Sequence, residues 1–81
     1  MKKINNLNEF LSTLLFNDDG YIIIGFAFDN KINIEQRPLS HFKDYYTQGS
    51  LKEYFGKDEN LFFAYSEEKL FTGTYKILEA K

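Results

Sequence analysis

The run YIIIGFAF at residues 21–28 limits the fold more than any other part of the chain. It consists mainly of β-branched and aromatic residues, turn residues bound it, and it is too short for a buried helix. The next run, INIEQR at residues 32–37, alternates strictly between apolar and polar residues. Two such runs joined by a short loop predict a β-hairpin, and therefore an antiparallel sheet.

The register of this hairpin depends on the length of its loop. A three-residue loop, Asp29-Asn30-Lys31, sets Phe26 opposite Ile34 and makes one face uniformly apolar. A two-residue loop sets Phe26 opposite Asn33 and mixes apolar with polar residues on both faces. The sequence therefore favours the three-residue loop.

The N-terminal region has the pattern of an amphipathic helix that ends at residue 16. Asn6 followed by Glu9 resembles a capping box, and the turn residues at 17–20 end the helix. One face is apolar, and polar residues lie opposite it. The apolar positions are Ile4, Leu7, Phe10, Leu11, Leu14 and Leu15. This pattern predicts a helix over residues 5–16 that packs against a sheet.

The middle of the chain, residues 38–60, predicts short helices separated by Gly49. The first is expected at 40–47, where Ser40 can act as its cap, and the second at 50–55. A single kinked helix is the alternative.

A second hairpin is predicted from LFFAYS at 61–66 and LFTGTYKIL at 70–78, with the turn at 67–69. With this three-residue turn, Phe63 lies opposite Gly73 and covers it, an arrangement known from aromatic residues beside sheet glycines. The whole prediction is one α+β domain over residues 1–81 in the order αββαββ. Its four-stranded antiparallel sheet packs on the N-terminal helix.

Composition excludes several classes of protein. The net charge of −2 and the pI near 5.3 disfavour both a strongly basic nucleic-acid binder and a highly acidic DNA mimic. The absence of cysteine excludes disulfides and thiolate metal sites, and suits a reducing compartment. No apolar run approaches the ~18 residues of a membrane-spanning helix, and the start MKKINNLNEF lacks the apolar run of a signal peptide.

A cytoplasmic protein without a membrane partner is therefore expected. Amino acids with AT-rich codons make up almost half of the chain, which indicates a low-GC source such as a Firmicute-like bacterium or its phages.

The sequence offers little for catalysis. The one histidine, His41, lies three residues before Asp44 on the first turn of a predicted helix, where a histidine is usually exposed. A small hydrolase centred on His41 is the enzymatic alternative. The prediction is a protein that is not an enzyme, with no catalytic residues, no metal and no cofactor.

Aromatic residues exceed what so small a core needs, since the chain has nine phenylalanines and six tyrosines. Several large side chains have no place in the predicted core, and tyrosine is enriched at interface hot spots. The residues predicted to bind a partner are Tyr45, Tyr46 and Tyr54, with Tyr21 and Phe62 next. The alternative is that the middle helices cross the second sheet face and bury much of this set.

Two functional hypotheses follow. The first is a protein-interaction module that covers or bridges a partner surface, such as a small phage- or mobile-element-encoded inhibitor of a host defence enzyme (an anti-CRISPR, for example). Its partner is a protein, and a homodimer is compatible with the same aromatic surplus. The second is a nucleic-acid-binding regulator that stacks bases on sheet aromatics, although its scattered lysines disfavour phosphate binding.

Overall fold

A computed structural model describes residues 1–45 and 61–79. In this part of the chain the elements follow the order β1 (Lys2–Ile4), α1 (Leu7–Phe16), β2 (Tyr21–Phe28), β3 (Lys31–Pro38), α2 (Leu39–Tyr45), β4 (Leu61–Ser66) and β5 (Tyr75–Glu79). The strands form one sheet in the order β1-β4-β2-β3-β5, and every neighbouring pair is antiparallel. The predicted α+β class with an antiparallel sheet is confirmed.

The predicted four strands and the order αββαββ are wrong in detail, because a fifth strand precedes α1. This strand, β1, contains Ile4, which the apolar periodicity assigns to the helix. Asn6 caps α1, so the residues before it are free to extend and pair with β4. Ile4 then lies opposite Phe63 and is buried.

The cap of α1 confirms the predicted pairing of Asn6 with Glu9. The side chain of Asn6 accepts a hydrogen bond of 2.9 Å from the backbone N–H of Glu9. The Glu9 carboxylate in turn accepts a 2.8 Å bond from the backbone N–H of Asn5, one residue before the cap. These bonds satisfy donors that a helix start leaves without partners.

The first hairpin forms with a two-residue turn, and the prediction of a three-residue loop is wrong. Asp29 and Asn30 have φ of 50° and 60°, so both lie in the left-handed region, as a type I′ turn requires. Phe26 therefore lies opposite Asn33 rather than Ile34. Type I′ turns match the twist of the strands, and Asp and Asn tolerate positive φ better than most residues.

The second predicted hairpin does not form. Strand β4 lies between β1 and β2, whereas β5 pairs with β3 at the far edge of the sheet. Residues 67–74, called the crossing segment below, connect these distant strands. Consequently Gly73 does not lie beneath Phe63; its backbone has φ of +87°, and a Cβ there would have no neighbour within 4 Å.

The main core lies between the sheet and the helices, on what we call the helix face. The ring of Phe10 from α1 meets Phe42 of α2 edge-on at 5.2 Å between centroids, and Phe63 of β4 at 5.7 Å. The buried residues of this core are Ile4, Phe10, Leu14, Ile22, Leu39, Phe42 and Phe63. Aromatic pairs with this geometry add stability beyond their buried area.

One residue of the predicted core is exposed on the helix. Leu15 is 75% exposed, whereas Leu14 is buried. Successive helical positions are about 100° apart around the axis, and the face of α1 that buries Phe10 and Leu14 leaves Leu15 towards solvent.

Helix α2 begins at Leu39, directly after Pro38, rather than at a Ser40 cap. The backbone N–H of Leu39 donates to the carbonyl of Gly20 at 3.2 Å, which ties the start of α2 to the loop before β2. This helix corresponds to the one expected at 40–47. The helix expected at 50–55 lies outside the described residues.

Candidate functional site

The face of the sheet opposite α1, called the back face below, is covered over one part and open over another. Directly opposed residues of neighbouring strands form rows across this face. The upper row begins at the exposed Lys3 of β1 and continues through Ala64, Ile23 and Gln36, which are all buried. The next two rows are only partly covered, so the back face changes from closed to open within a few residues along each strand.

The side chain of Gln36 anchors the crossing segment at the β3 end of the upper row. Its amide nitrogen donates to the carbonyl of Phe71 and, at 2.6 Å, to that of Gly73. Its amide oxygen accepts from the backbone N–H of Leu70 at 2.9 Å and of Phe71 at 3.3 Å. A buried amide that makes all four bonds has its polar atoms satisfied and holds the segment over β3.

The open part of the back face is apolar apart from Lys76. Its middle row runs from Phe62 through Gly25 and Ile34 to Lys76, and its lower row contains Ala27, Ile32 and Leu78. Phe62 is 39% and Leu78 38% exposed, Ala27 is exposed, and both isoleucines are half-buried. We call Ala27, Ile32, Ile34, Phe62 and Leu78 the back-face patch.

The ring of Phe62 lies directly on Gly25 of the neighbouring strand. A Cβ built at Gly25 would come within 2.0 Å of two ring carbons of Phe62. An aromatic cover over a sheet glycine was predicted from the sequence, but on another pair of residues. The glycine leaves room for the ring above the backbone of β2, which extends the apolar patch across that strand.

Two of the five predicted partner-binding residues lie on this face. Tyr21 begins β2 opposite Pro38 and Ser66 and is half-buried, while Phe62 belongs to the back-face patch. The buried row containing Ile23 and Ala64 separates them, so they do not form one surface. Tyr45 is the last residue of α2, and Tyr46 and Tyr54 lie outside the described residues.

The sequence reasoning missed most of the patch. Ile32, Ile34 and Leu78 share a face with Phe62 only when the hairpin has its two-residue turn and β5 pairs with β3. The first of these could have been found, since Asp29-Asn30 is a suitable pair for a type I′ turn. The second requires a long-range pairing that no local signal encodes.

Other exposed apolar side chains lie on α1 and on β5. Leu15 and Phe16, at the end of α1, are 75% and 78% exposed. Tyr75 and Ile77 of β5 are 48% and 51% exposed. They lie on the helix face of the sheet, but β5 is the edge strand beyond the strands that carry the core.

Three other features considered from the sequence are a catalytic His41, a metal site and a membrane-spanning helix. The ring of His41 lies edge-on to Phe42, with the centroids 5.2 Å apart. Over the described residues, no three His, Cys, Asp or Glu side chains come together as a potential metal site. Within the same ranges, 1–45 and 61–79, neither helix has the length and apolar character that crossing a bilayer requires.

No protein-family model, no curated protein and no solved structure matches this chain.

Proposed function

We propose that this chain is a non-enzymatic protein-interaction module whose contact surface is the back-face patch. The observation that carries the proposal is the partial exposure of Phe62 and Leu78 at the two sides of one apolar surface. Isolated exposed apolar residues are common on proteins, but contiguous apolar patches mark interaction sites. A small module of this kind acts by covering part of a larger protein, which makes inhibition by occlusion its simplest mode of action.

The position of the patch supports a protein partner over a nucleic acid. Base stacking along the sheet would use Tyr21 and Phe62 together, but the buried row at Ile23 and Ala64 lies between them. Among the described residues, Lys76 is the one cation in the two open rows, whereas binding to phosphates needs clustered positive charge. A flat apolar patch suits a protein surface better.

The test places an arginine in the patch and another outside it. Ala27→Arg puts a long charged side chain in the lower row at an exposed position, where folding is little affected. Leu15→Arg makes the same chemical change on the exposed side of α1. Both variants and the parent serve as bait for quantitative affinity capture from a bacterial lysate, with equal melting temperatures as the condition for comparison.

We expect the parent and Leu15→Arg to capture the same set of proteins in equal amounts. Ala27→Arg should capture at least tenfold less of these proteins. Equal capture by all three baits would contradict the assignment of the patch. In parallel, the parent is titrated with a single-stranded oligonucleotide at low and moderate salt. Tight binding that falls steeply with salt would favour the nucleic-acid alternative instead.

A further inference from the structure

We propose that β5 pairs with β5 of a second copy of this chain, antiparallel about a two-fold axis at Ile77. This pairing would join two five-stranded sheets into one continuous sheet. The inference does not rest on the proposed function, because it concerns the edge of the sheet rather than its back face.

The two edges of the sheet differ in how well they are protected. The β1 edge has three residues, and two of them, Lys2 and Lys3, are exposed lysines. Short strands and lysines are the usual means by which proteins prevent edge-to-edge association. The β5 edge has five residues and one exposed lysine, Lys76, beside three exposed apolar side chains, Tyr75, Ile77 and Leu78, so it is less protected than the β1 edge.

The backbone of β5 points hydrogen-bonding groups outward at alternate residues. The N–H of Gln36 donates to the carbonyl of Thr74 at 3.0 Å, which makes these two residues a hydrogen-bonded pair. Hydrogen-bonded pairs alternate along an antiparallel ladder, so Lys76 and Leu78 bond to β3 in the same way. The N–H and C=O groups of Tyr75, Ile77 and Glu79 therefore face away from β3.

No strand lies on that outer side among the residues that the structure describes. The outward groups of β5 thus offer a template for one more antiparallel strand. A second copy supplies a strand with the same spacing of outward groups.

The sequence of β5 selects one register for this self-pairing. With the axis at Ile77, all five residues pair: Tyr75 lies opposite Glu79, Lys76 opposite Leu78, and Ile77 opposite its own copy. Residues whose backbone N–H and C=O groups face outward then lie opposite one another, as a hydrogen-bonded ladder requires. No like charges face each other.

The neighbouring registers are less favourable. An axis at Lys76 sets the two lysines directly opposite each other in a closely spaced pair, which is destabilising. An axis at Leu78 pairs only residues 77–79 within β5. The register at Ile77 is therefore the one that the strand supports best, and it is an isologous interface of the kind that closed dimers use.

The test exploits the meeting of residue 77 with its own copy. Ile77→Lys brings two ammonium groups together at the axis, and Ile77→Glu brings two carboxylates together. A mixture of the two variants brings opposite charges together. Molar mass is measured by sedimentation velocity from about 1 to 500 μM, a range that covers weak association. Leu15→Lys serves as the control, since it adds the same charge at an exposed site on α1.

The parent and Leu15→Lys are expected to approach twice the 9.6 kDa monomer mass at high concentration. Each Ile77 variant alone should remain monomeric with an unchanged melting temperature, and the equimolar mixture should dimerise again. A parent that stays monomeric throughout would overturn the proposal. So would a dimer that survives Ile77→Lys, or a mixture that does not recover association. The affinity-capture result for Ala27→Arg tests the proposed function only, since the molar masses of the parent and of the Ile77 variants decide whether β5 self-pairs.

Discussion

The ring of Phe62 occupies the space in which any residue larger than glycine at position 25 would place its side chain. The two residues are direct neighbours on β4 and β2, and a Cβ at Gly25 would come within 2.0 Å of the ring. The glycine thus determines how an aromatic side chain lies on an open sheet face. That face carries the proposed interaction surface, so the pair links packing to function.

This contact predicts that two substitutions are coupled. Gly25→Ala should displace the Phe62 ring and destabilise the fold by about 1–2 kcal/mol, since overfilling a packed site is unfavourable. In a Phe62→Ala background the same change should be neutral or stabilise by about 0.5–1 kcal/mol, because glycine weakens a strand. Urea unfolding of the four proteins measures the coupling. Additive effects would mean that the ring does not lie on Gly25.

Gln36 is expected to be important for the crossing segment. Gln36→Met keeps a similar shape but removes every hydrogen bond to the backbone of Leu70, Phe71 and Gly73. The loss should cost about 1–3 kcal/mol, because four partly buried hydrogen bonds are removed at once. Hydrogen exchange provides the local readout: the amides of Leu70 and Phe71 should exchange faster. Unchanged exchange at both amides would contradict this anchoring role.

Leu14 and Leu15 form a matched pair that tests the orientation of α1. Leu14→Ala should destabilise the protein by about 2–4 kcal/mol, because it leaves a cavity in the buried core cluster to which Leu14 belongs. Leu15→Ala should change stability by less than about 0.5 kcal/mol, since the side chain is 75% exposed. Thermal unfolding of both variants is sufficient. Similar losses from the two changes would indicate a helix rotated about its axis.

The turn of the first hairpin predicts opposite effects at adjacent positions. Asn30→Gly should stabilise by about 0.5 kcal/mol, because glycine adopts the φ of 60° found there without strain. Lys31→Gly should destabilise by about 0.5–1 kcal/mol, because Lys31 is already in β3. In a three-residue loop the left-handed position would instead be residue 31. Urea midpoints of the two variants therefore report the loop length directly.

Local patterns in the sequence predict the elements themselves. Asn6 and Glu9 indicate where α1 begins, and the run at 21–28 indicates a strand whose bounds the structure reproduces. These signals succeed because capping and side-chain periodicity involve residues only a few positions apart. For the hairpin loop two local signals disagree. The pair Asp29-Asn30 favours the two-residue turn that the structure has, whereas a uniformly apolar face favours a three-residue loop.

Pairing between distant segments decided the rest. Strand β4 lies between β1 and β2, and β5 lies at the far edge, after a crossing segment that is hydrogen-bonded to Gln36. Nothing near Leu61 or Tyr75 in the sequence specifies those neighbours, since alternating strands can pair with any edge that buries their apolar side.

The sequence by itself thus determined the α+β class, the capped N-terminal helix and the existence of strands at both ends of the middle region. Only the tertiary structure decided which apolar residues stay exposed. Ile23 is buried and Ile77 is exposed, although both are isoleucines in strands. The physical reason is that burial depends on what lies across the sheet, and that is set by contacts between residues far apart in the chain.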